Sequence, residues 1–323
     1  HAVLVGDAIH LTDATGLSAV DRDTGALRWR APGWRGLGPL ALGLAMDGLG
    51  RLHRRDGAAE WCRPGLALPH RAIPLPSGDW LLVHDAGLEV LDPHTGARRW
   101  AAEPVRGRVL GATWGAGGIW SLSEDRILRR RAVDTGEVQL QLPLAGRPTL
   151  GPIAGPTLVW VLEERRGRQA LSAWGSDGTE RWVHPLGEAA LDRPRRVADL
   201  VVVPTGDLAA PRLLALDRLT GAPRWQAALP GGPTPPRLAP IQDLVLAKAL
   251  DGHTVALRAT DGAVAWAIPA DDPEALVTHT PPPLACRGIA LIAAATVRAV
   301  DPATGRVVHT LDGGGLLPDR IHV

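Results

Sequence analysis

Apolar and polar residues alternate with a period of two along many short stretches of the chain. The alternation is clear in residues 16–20 (GLSAV), 88–91 (LEVL) and 297–300 (VRAV). A period of two is typical of β-strands whose two faces have different surroundings. No stretch of useful length carries the 3.6-residue period of an amphipathic helix. The pattern therefore predicts an all-β chain built from short strands.

One larger pattern occurs eight times along the chain. An alternating strand is followed by a turn that ends in Thr-Gly or Asp-Gly, and a second strand comes after it. The glycines are 32, 39, 40, 42, 43, 41 and 43 residues apart, at Gly25, Gly57, Gly96, Gly136, Gly178, Gly221, Gly262 and Gly305. Units of this length suit four short strands with their turns. We therefore predict a single domain over residues 1–323, an eight-bladed β-propeller of four-stranded antiparallel blades.

The residue before each repeated glycine is always Thr or Asp, as in a tight hairpin whose glycine has a positive φ. In four repeats an aspartate also lies four residues before the glycine, at Asp21, Asp92, Asp217 and Asp301. A carboxylate at this place can accept hydrogen bonds from the backbone of the turn. We interpret these aspartates as structural rather than catalytic.

A tryptophan follows the repeated glycine by four residues in six repeats, and Leu140 and His309 replace it in the other two. These tryptophans are Trp29, Trp61, Trp100, Trp182, Trp225 and Trp266. A four-stranded sheet cannot bury its own faces, and an indole buries a large apolar area. We therefore expect each tryptophan to pack one blade on its neighbour. We also expect Arg320–Val323 to close the ring as a strand that completes blade one.

Composition adds little about partners. The formal net charge is +1, so the whole molecule has no field that would require nucleic acid or an anionic membrane. No apolar run reaches the length of a membrane-spanning helix. Cys62 and Cys286 are predicted to be buried free thiols, although spacing leaves a disulfide open. The chain begins at His1 inside a strand-like run, from which we expect a processed N-terminus.

The consensus A-x-D-x-x-T-G-x-x-x-W, as in residues 19–29, 90–100 and 215–225, resembles the PQQ-like repeat. Within that family the chain is most similar in type to the non-enzymatic eight-bladed BamB group of outer-membrane assembly lipoproteins. The resemblance implies an extracytoplasmic, monomeric scaffold that binds a polypeptide, such as an outer-membrane assembly component. It implies no enzymatic activity, no cofactor and no metal.

The tract 191–196 (LDRPRR) falls between the Trp strand of the fifth repeat and the first strand of the sixth, so it is predicted to be an exposed loop. Its arginines, Arg193, Arg195 and Arg196, are the leading candidates for contacts with a partner, against the alternative of a solvated charged loop.

Two other classes of function stay open at this point. A sensor propeller would bind a small molecule such as pyrroloquinoline quinone, or a polyanion such as nucleic acid through residues 129–131 and 165–168. A quinoprotein dehydrogenase would resemble the enzymes that hold this quinone with calcium. The sequence argues against the dehydrogenase, because the chain lacks the Asn and the adjacent cysteines that the resemblance would lead one to expect.

Overall fold

The computed structural model consists of antiparallel strands joined by turns. It describes residues 2–5, 8–12, 16–21, 24–32, 45–46, 51–53, 59–62, 71–85, 87–92, 95–102, 106–229, 235–249, 253–269, 283–286, 289–293 and 297–311. Within these ranges no helix occurs, and none is therefore long and apolar enough to cross a membrane. The all-β prediction is confirmed.

The chain divides into two compact units, of which the first is His1–Gly33 together with Glu188–Val323. Each sheet of this unit is a four-stranded meander of consecutive strands. The strands are β1 (Ala2–Val5), β2 (Ala8–Thr12), β3 (Gly16–Asp21) and β4 (Leu27–Pro32); β21 (Arg195–Val197), β22 (Leu200–Gly206), β23 (Pro211–Asp217) and β24 (Pro223–Ala228); β25 (Arg237–Ile241), β26 (Leu244–Lys248), β27 (Thr254–Arg258) and β28 (Val264–Ile268); and β29 (Leu284–Cys286), β30 (Ile289–Ala293), β31 (Val297–Val300) and β32 (Val307–Leu311).

The second unit is Trp34–Gly187. Among its described residues it has a three-stranded sheet, two four-stranded sheets and a five-stranded sheet in which both β16 and β17 pair with β18. The strands are β5 (Ala45–Met46), β6 (Arg51–His53) and β7 (Ala59–Cys62); β8 (Arg71–Pro74), β9 (Trp80–His84), β10 (Gly87–Leu91) and β11 (Arg98–Ala102); β12 (Val109–Gly115), β13 (Gly118–Ser123), β14 (Ile127–Arg131) and β15 (Val138–Pro143); and β16 (Arg147–Pro148), β17 (Ile153–Ala154), β18 (Leu158–Arg165), β19 (Arg168–Gly175) and β20 (Glu180–Pro185).

In seven of the eight sheets, the structure describes the repeat glycine of the hairpin between the last two strands, and this glycine has the predicted positive φ. In the turn after β23, the Gly221 N–H donates to the Asp217 carbonyl at 2.8 Å, and the Thr220 N–H donates to the Asp217 carboxylate at 2.9 Å. A hydrogen bond from Arg224, followed by those from the turn, holds the pKa of Asp217 well below its usual range. Seven repeat glycines have φ between 70° and 83°, and Gly57 lies outside the described residues. The prediction of left-handed glycines is confirmed for these seven.

The repeat tryptophans join neighbouring sheets within each unit. Trp100 illustrates the geometry: its Nε1–H donates to the Val133 carbonyl, in the turn of the next sheet, at 2.8 Å. A Cβ added to Gly136 in that turn would lie 2.5 Å from Cε3 of the same indole. Only a glycine leaves room for the ring. The same joint links Trp225 with Ala259 and Gly262, and Trp266 with Pro302 and Gly305.

At the other tryptophan positions of the repeat, the structure describes some side chains and not others. Leu140 replaces the indole and places its Cδ2 within 2.9 Å of a Cβ built on Gly178. Trp29 and Trp182 are partly buried, and the side chain of Trp61 lies outside the described part of the chain.

Apolar cores fill the spaces between neighbouring sheets. In the first unit, Val202 and Leu213 of one sheet pack against Val245 and Leu257 of the next, and a second core lies between that sheet and β29–β32. The first strands are also neighbours, because β25 lies beside β21 and β29. The segments of the chain that lead into β21 and β25 are therefore close together.

Two predictions about the whole chain stay predictions. The first sheet already has four strands from residues 2–32, while Arg320–Val323, the expected closing strand, lie outside the described residues. The single domain over residues 1–323 is likewise neither confirmed nor contradicted.

Candidate functional site

The predicted contact tract is more structured than the sequence suggested. The Leu191 N–H donates to the Pro204 carbonyl at 2.8 Å, and Arg195 and Arg196 are the first residues of β21. The expectation of a loop is wrong for these two arginines, which are in a strand, whereas the expected exposure holds for Arg196. The physical reason is Val197, which is buried in the core against the next sheet and so holds the chain in register beside β22. Arg193 is partly buried, Arg195 is partly buried and Arg196 is exposed.

Arg193 and Arg195 come together with Asp192 and Arg237, and we call these four residues the arginine cluster. All four belong to the first unit. Arg237 begins β25 and donates through Nη1 to Oδ2 of Asp192 at 3.0 Å. The other oxygen of Asp192 accepts the Arg193 backbone N–H at 2.7 Å. Both carboxylate oxygens are therefore already engaged.

Arg195 is a partly buried residue of the cluster whose guanidinium has no hydrogen-bond acceptor among the described residues. Burial lowers the pKa of its guanidinium from the usual range. Asp192 opposes this effect, whereas the like charges of Arg193 and Arg237 add to it. Among the described residues Arg195 has no hydrogen-bond or ion-pair partner, and the same is true of the side chains of Arg193 and Arg196. The cluster has three cations and one anion, and it can accept a further anion.

Other arginines at or near the start of a first strand have acceptors in the protein. Arg71, which begins β8, donates to the Ala112 carbonyl at 3.5 Å. Arg147, which begins β16, pairs with Glu164 at 2.9 Å. An acceptor is therefore the common arrangement at this position, and Arg195 departs from it.

Four arginines of the two tracts considered for a polyanion are engaged in internal contacts, whereas Arg166 and Arg168 of the second tract are exposed. Arg129 is buried and donates to Asp125 at 3.1 Å, and Arg131 donates to the Gly136 carbonyl at 2.9 Å. Arg130 donates to the Ser176 carbonyl, and Arg165 bridges Glu163 and Glu180. These side chains hold strands and turns together and do not form a free basic face.

Among the described residues, no three His, Cys, Asp or Glu side chains that could hold a metal ion come together. His84 ends β9, and burial lowers its pKa against the opposing influence of Glu89 and Asp85. Cys62 and Cys286 are in strands β7 and β29, but their side chains lie outside the described part, so their pairing stays a prediction.

Sequence reasoning missed two cations in this region. Arg237 follows a Pro-rich stretch and has no motif around it, and it reaches Asp192 only because β25 packs beside β21. Lys248, opposite Arg237 in the β25–β26 register, is the only lysine in the chain. Lys248 is fully buried, its Nζ has no hydrogen-bond partner in the described part of the chain, and burial lowers its pKa to about 8.

Solved structures share this fold over most of the chain. The computationally designed Ika8 protein matches with a TM-score of 0.71 and 14% identity, over 94% of this chain and 93% of its own. BamB from Moraxella catarrhalis matches with a TM-score of 0.62 and 16% identity, over 94% and 91%. The dihydro-heme d1 dehydrogenase NirN, in complex with DHE, matches with a TM-score of 0.69 and 13% identity, over 94% and 73%. No curated protein sequence matches the chain.

The four-stranded antiparallel sheets and the repeated turn are consistent with a β-propeller, and these solved structures share the fold. Within the chain, residues 168–312 match the family model of the outer membrane protein assembly factor BamB. The resemblance to this family, which was inferred from the repeat consensus, is thereby confirmed over the matched segment, which is less than half of the chain. The matched segment contains the whole arginine cluster.

Proposed function

We propose that the chain is an eight-bladed, non-enzymatic propeller that binds polypeptide partners in the cell envelope, as a BamB-like scaffold. The observation that carries the proposal is that the segment matching the BamB family model also contains the arginine cluster. In that cluster a partly buried arginine has no acceptor among the described residues. Buried charges in proteins are normally paired, so an external partner is the natural source of the missing group.

The eight-blade count rests on the eight repeats of the sequence and the eight sheets formed by the described residues. Repeat spacings of 32 to 43 residues leave only short connections. Binding through edges and short loops is compatible with such a scaffold. Location in the envelope and monomeric state are parts of the same proposal, and the match to the outer membrane assembly factor model supports the location.

The proposal is tested by quantitative capture from envelope extract. The bait is the intact chain, and the altered bait carries Arg193→Glu and Arg196→Glu. A control bait carries Arg168→Glu and Arg181→Glu, which reverse two exposed arginines elsewhere in the matched segment. We expect a protein that is captured by the intact and control baits and lost with the altered bait. That protein must then bind the purified chain directly.

Equal capture by all three baits, or no direct binding by the purified candidate, would overturn the assignment of this surface. Cell fractionation of the native protein tests its location independently.

The likeness to NirN supports a second candidate, a propeller that binds a small molecule. Calorimetric titration with pyrroloquinoline quinone, with and without calcium, separates this candidate from the scaffold. Tight, calcium-dependent binding would favour a ligand-binding propeller or an enzyme. Absence of heat would leave the scaffold as the proposal to pursue.

A further inference from the structure

The arginine cluster has more positive than negative groups, and this excess indicates the charge of its partner. Arg193, Arg195 and Arg237 contribute three positive charges, and Asp192 contributes one negative charge. Asp192 is only 16% exposed, while Arg237 is 46% exposed. The carboxylate is therefore at the inner side of the cluster, and the guanidinium of Arg237 reaches solvent.

The position of Arg195 in the strand partly removes its guanidinium from water. It lies on the same face of β21 as Val197, the face that packs toward the sheet of β25. A guanidinium there has lost part of its hydration and has gained no protein acceptor, whereas Arg71 and Arg147 have acceptors at similar places. An arriving anion would meet donors that are already in place and already partly dehydrated, so less free energy is spent on ordering them.

The chemistry of the site favours carboxylates over a polyphosphate chain. A guanidinium presents a planar fork of donors that matches a carboxylate in a two-bond arrangement. A nucleic-acid backbone needs an extended positive surface. The arginines at 129–131 and 165 are engaged inside the protein, and the exposed Arg166 and Arg168 belong to the other unit of the chain. The excess here is local, because three arginines are grouped with one aspartate. One or two carboxylates match this charge.

We propose that the arginine cluster is a binding site for an acidic peptide segment, with Arg195 and Arg237 as the residues that hold its carboxylates. This inference rests on the proposed function as a polypeptide scaffold and specifies the class of segment that is bound. Arg193 adds long-range attraction, and Asp192 keeps Arg237 oriented.

The test uses the full chain and a fluorescent hexaglutamate peptide at low ionic strength, followed by anisotropy. Hexaglutamine is the neutral control peptide, and a short single-stranded DNA is the phosphate probe. The variants are Arg195→Gln and Arg237→Gln. Arg181→Gln is the matched control, since Arg181 is exposed and already paired with Asp177 at 2.6 Å.

We expect hexaglutamate to bind the intact chain and the control variant equally, and hexaglutamine not to bind. Each cluster variant should weaken hexaglutamate binding by about tenfold, because a charge-assisted hydrogen bond is lost. The melting temperature of Arg195→Gln should be unchanged or higher, since this arginine has no partner to lose among the described residues. A purely structural role would instead lower the melting temperature.

Failure of hexaglutamate to bind, or equal binding by all variants, would overturn the acidic-peptide site. Arg195-dependent binding of DNA without binding of hexaglutamate would overturn it in favour of phosphate. If a captured envelope protein still binds directly while hexaglutamate does not, the scaffold proposal stands and this inference alone is wrong.

Discussion

Replacing Lys248 by Met should stabilise the protein at neutral pH. Lys248 ends β26, pairs with Arg237 and Thr254 in the neighbouring strands, and is completely buried without a hydrogen-bond partner for Nζ. Met has a similar unbranched shape, so it can occupy the same space without the charge. The substitution therefore isolates the cost of burying the ammonium group.

The magnitude follows from the pKa of the lysine. Burial lowers this pKa from 10.5 to about 8, and each pKa unit corresponds to about 1.4 kcal/mol. Burial of the charged form therefore costs about 3 kcal/mol, as an order of magnitude. Because the unfolded state binds the proton more tightly, stability rises with pH between about 8 and 10.5 and is lost as pH falls toward 8.

The assay is denaturant unfolding of both forms across this alkaline range. The chain suits the measurement because it has no tyrosine and no other lysine. The two cysteines and the terminal amine are present in both forms and cancel in the difference. Lys248→Met should be more stable by up to about 3 kcal/mol near pH 7, and the difference should disappear above pH 10.5.

The control is Arg196→Met, which removes an exposed cation without a partner among the described residues. It should change stability by less than about 0.5 kcal/mol, with no dependence on alkaline pH. A Lys248→Met difference that is constant with pH, or a destabilised variant, would refute the reasoning, because the amine would then be hydrated in the folded state.

Three further predictions concern the joints and turns, each checked by denaturant unfolding. Trp225→Ala should cost about 3 to 5 kcal/mol, because it removes buried ring area and a hydrogen bond to the next sheet; a cost below about 1 kcal/mol would contradict the joint. Gly262→Ala should cost clearly more than Gly167→Ala. Both glycines have φ above 70°, but only Gly262 has the indole 2.5 Å from the added Cβ; equal costs would show that the ring can yield. Asp217→Ala should lose about 1 kcal/mol at neutral pH. It should also lack the stability that the parent loses as pH falls below the usual aspartate pKa, because the folded-state pKa is lowered; identical acid profiles would contradict this.

The repeat could be predicted from sequence because its signals are local. The Gly221 N–H reaches the Asp217 carbonyl four residues away, and Trp225 lies four residues beyond Gly221, so residue types at fixed spacing specify the turn. The strand period gave the β class for the same reason.

The arginine cluster could be predicted only in part. Three neighbouring arginines marked the tract, but Arg237 is 45 residues from Asp192, and nothing in the spacing brings them together. The strand at Arg195 was missed because it depends on the burial of Val197 against another sheet. Lys248 was visible as a single lysine at the end of an apolar run, but its lack of a partner is a property of the packed sheets.

The joint between repeats has a direction, since Trp225 fits the glycine of the following repeat and not of the preceding one. The structure describes four such joints, at Gly136, Gly178, Gly262 and Gly305. In each of them one repeat supplies the apolar side chain and the following repeat supplies the glycine, and both residues are encoded within a unit of about forty residues. An in-frame duplication would add a unit whose two ends already fit its neighbours, with no new interface to evolve. Chains of this construction can change their number of blades by copying alone, which is a route to new sizes that a non-repeating core does not offer.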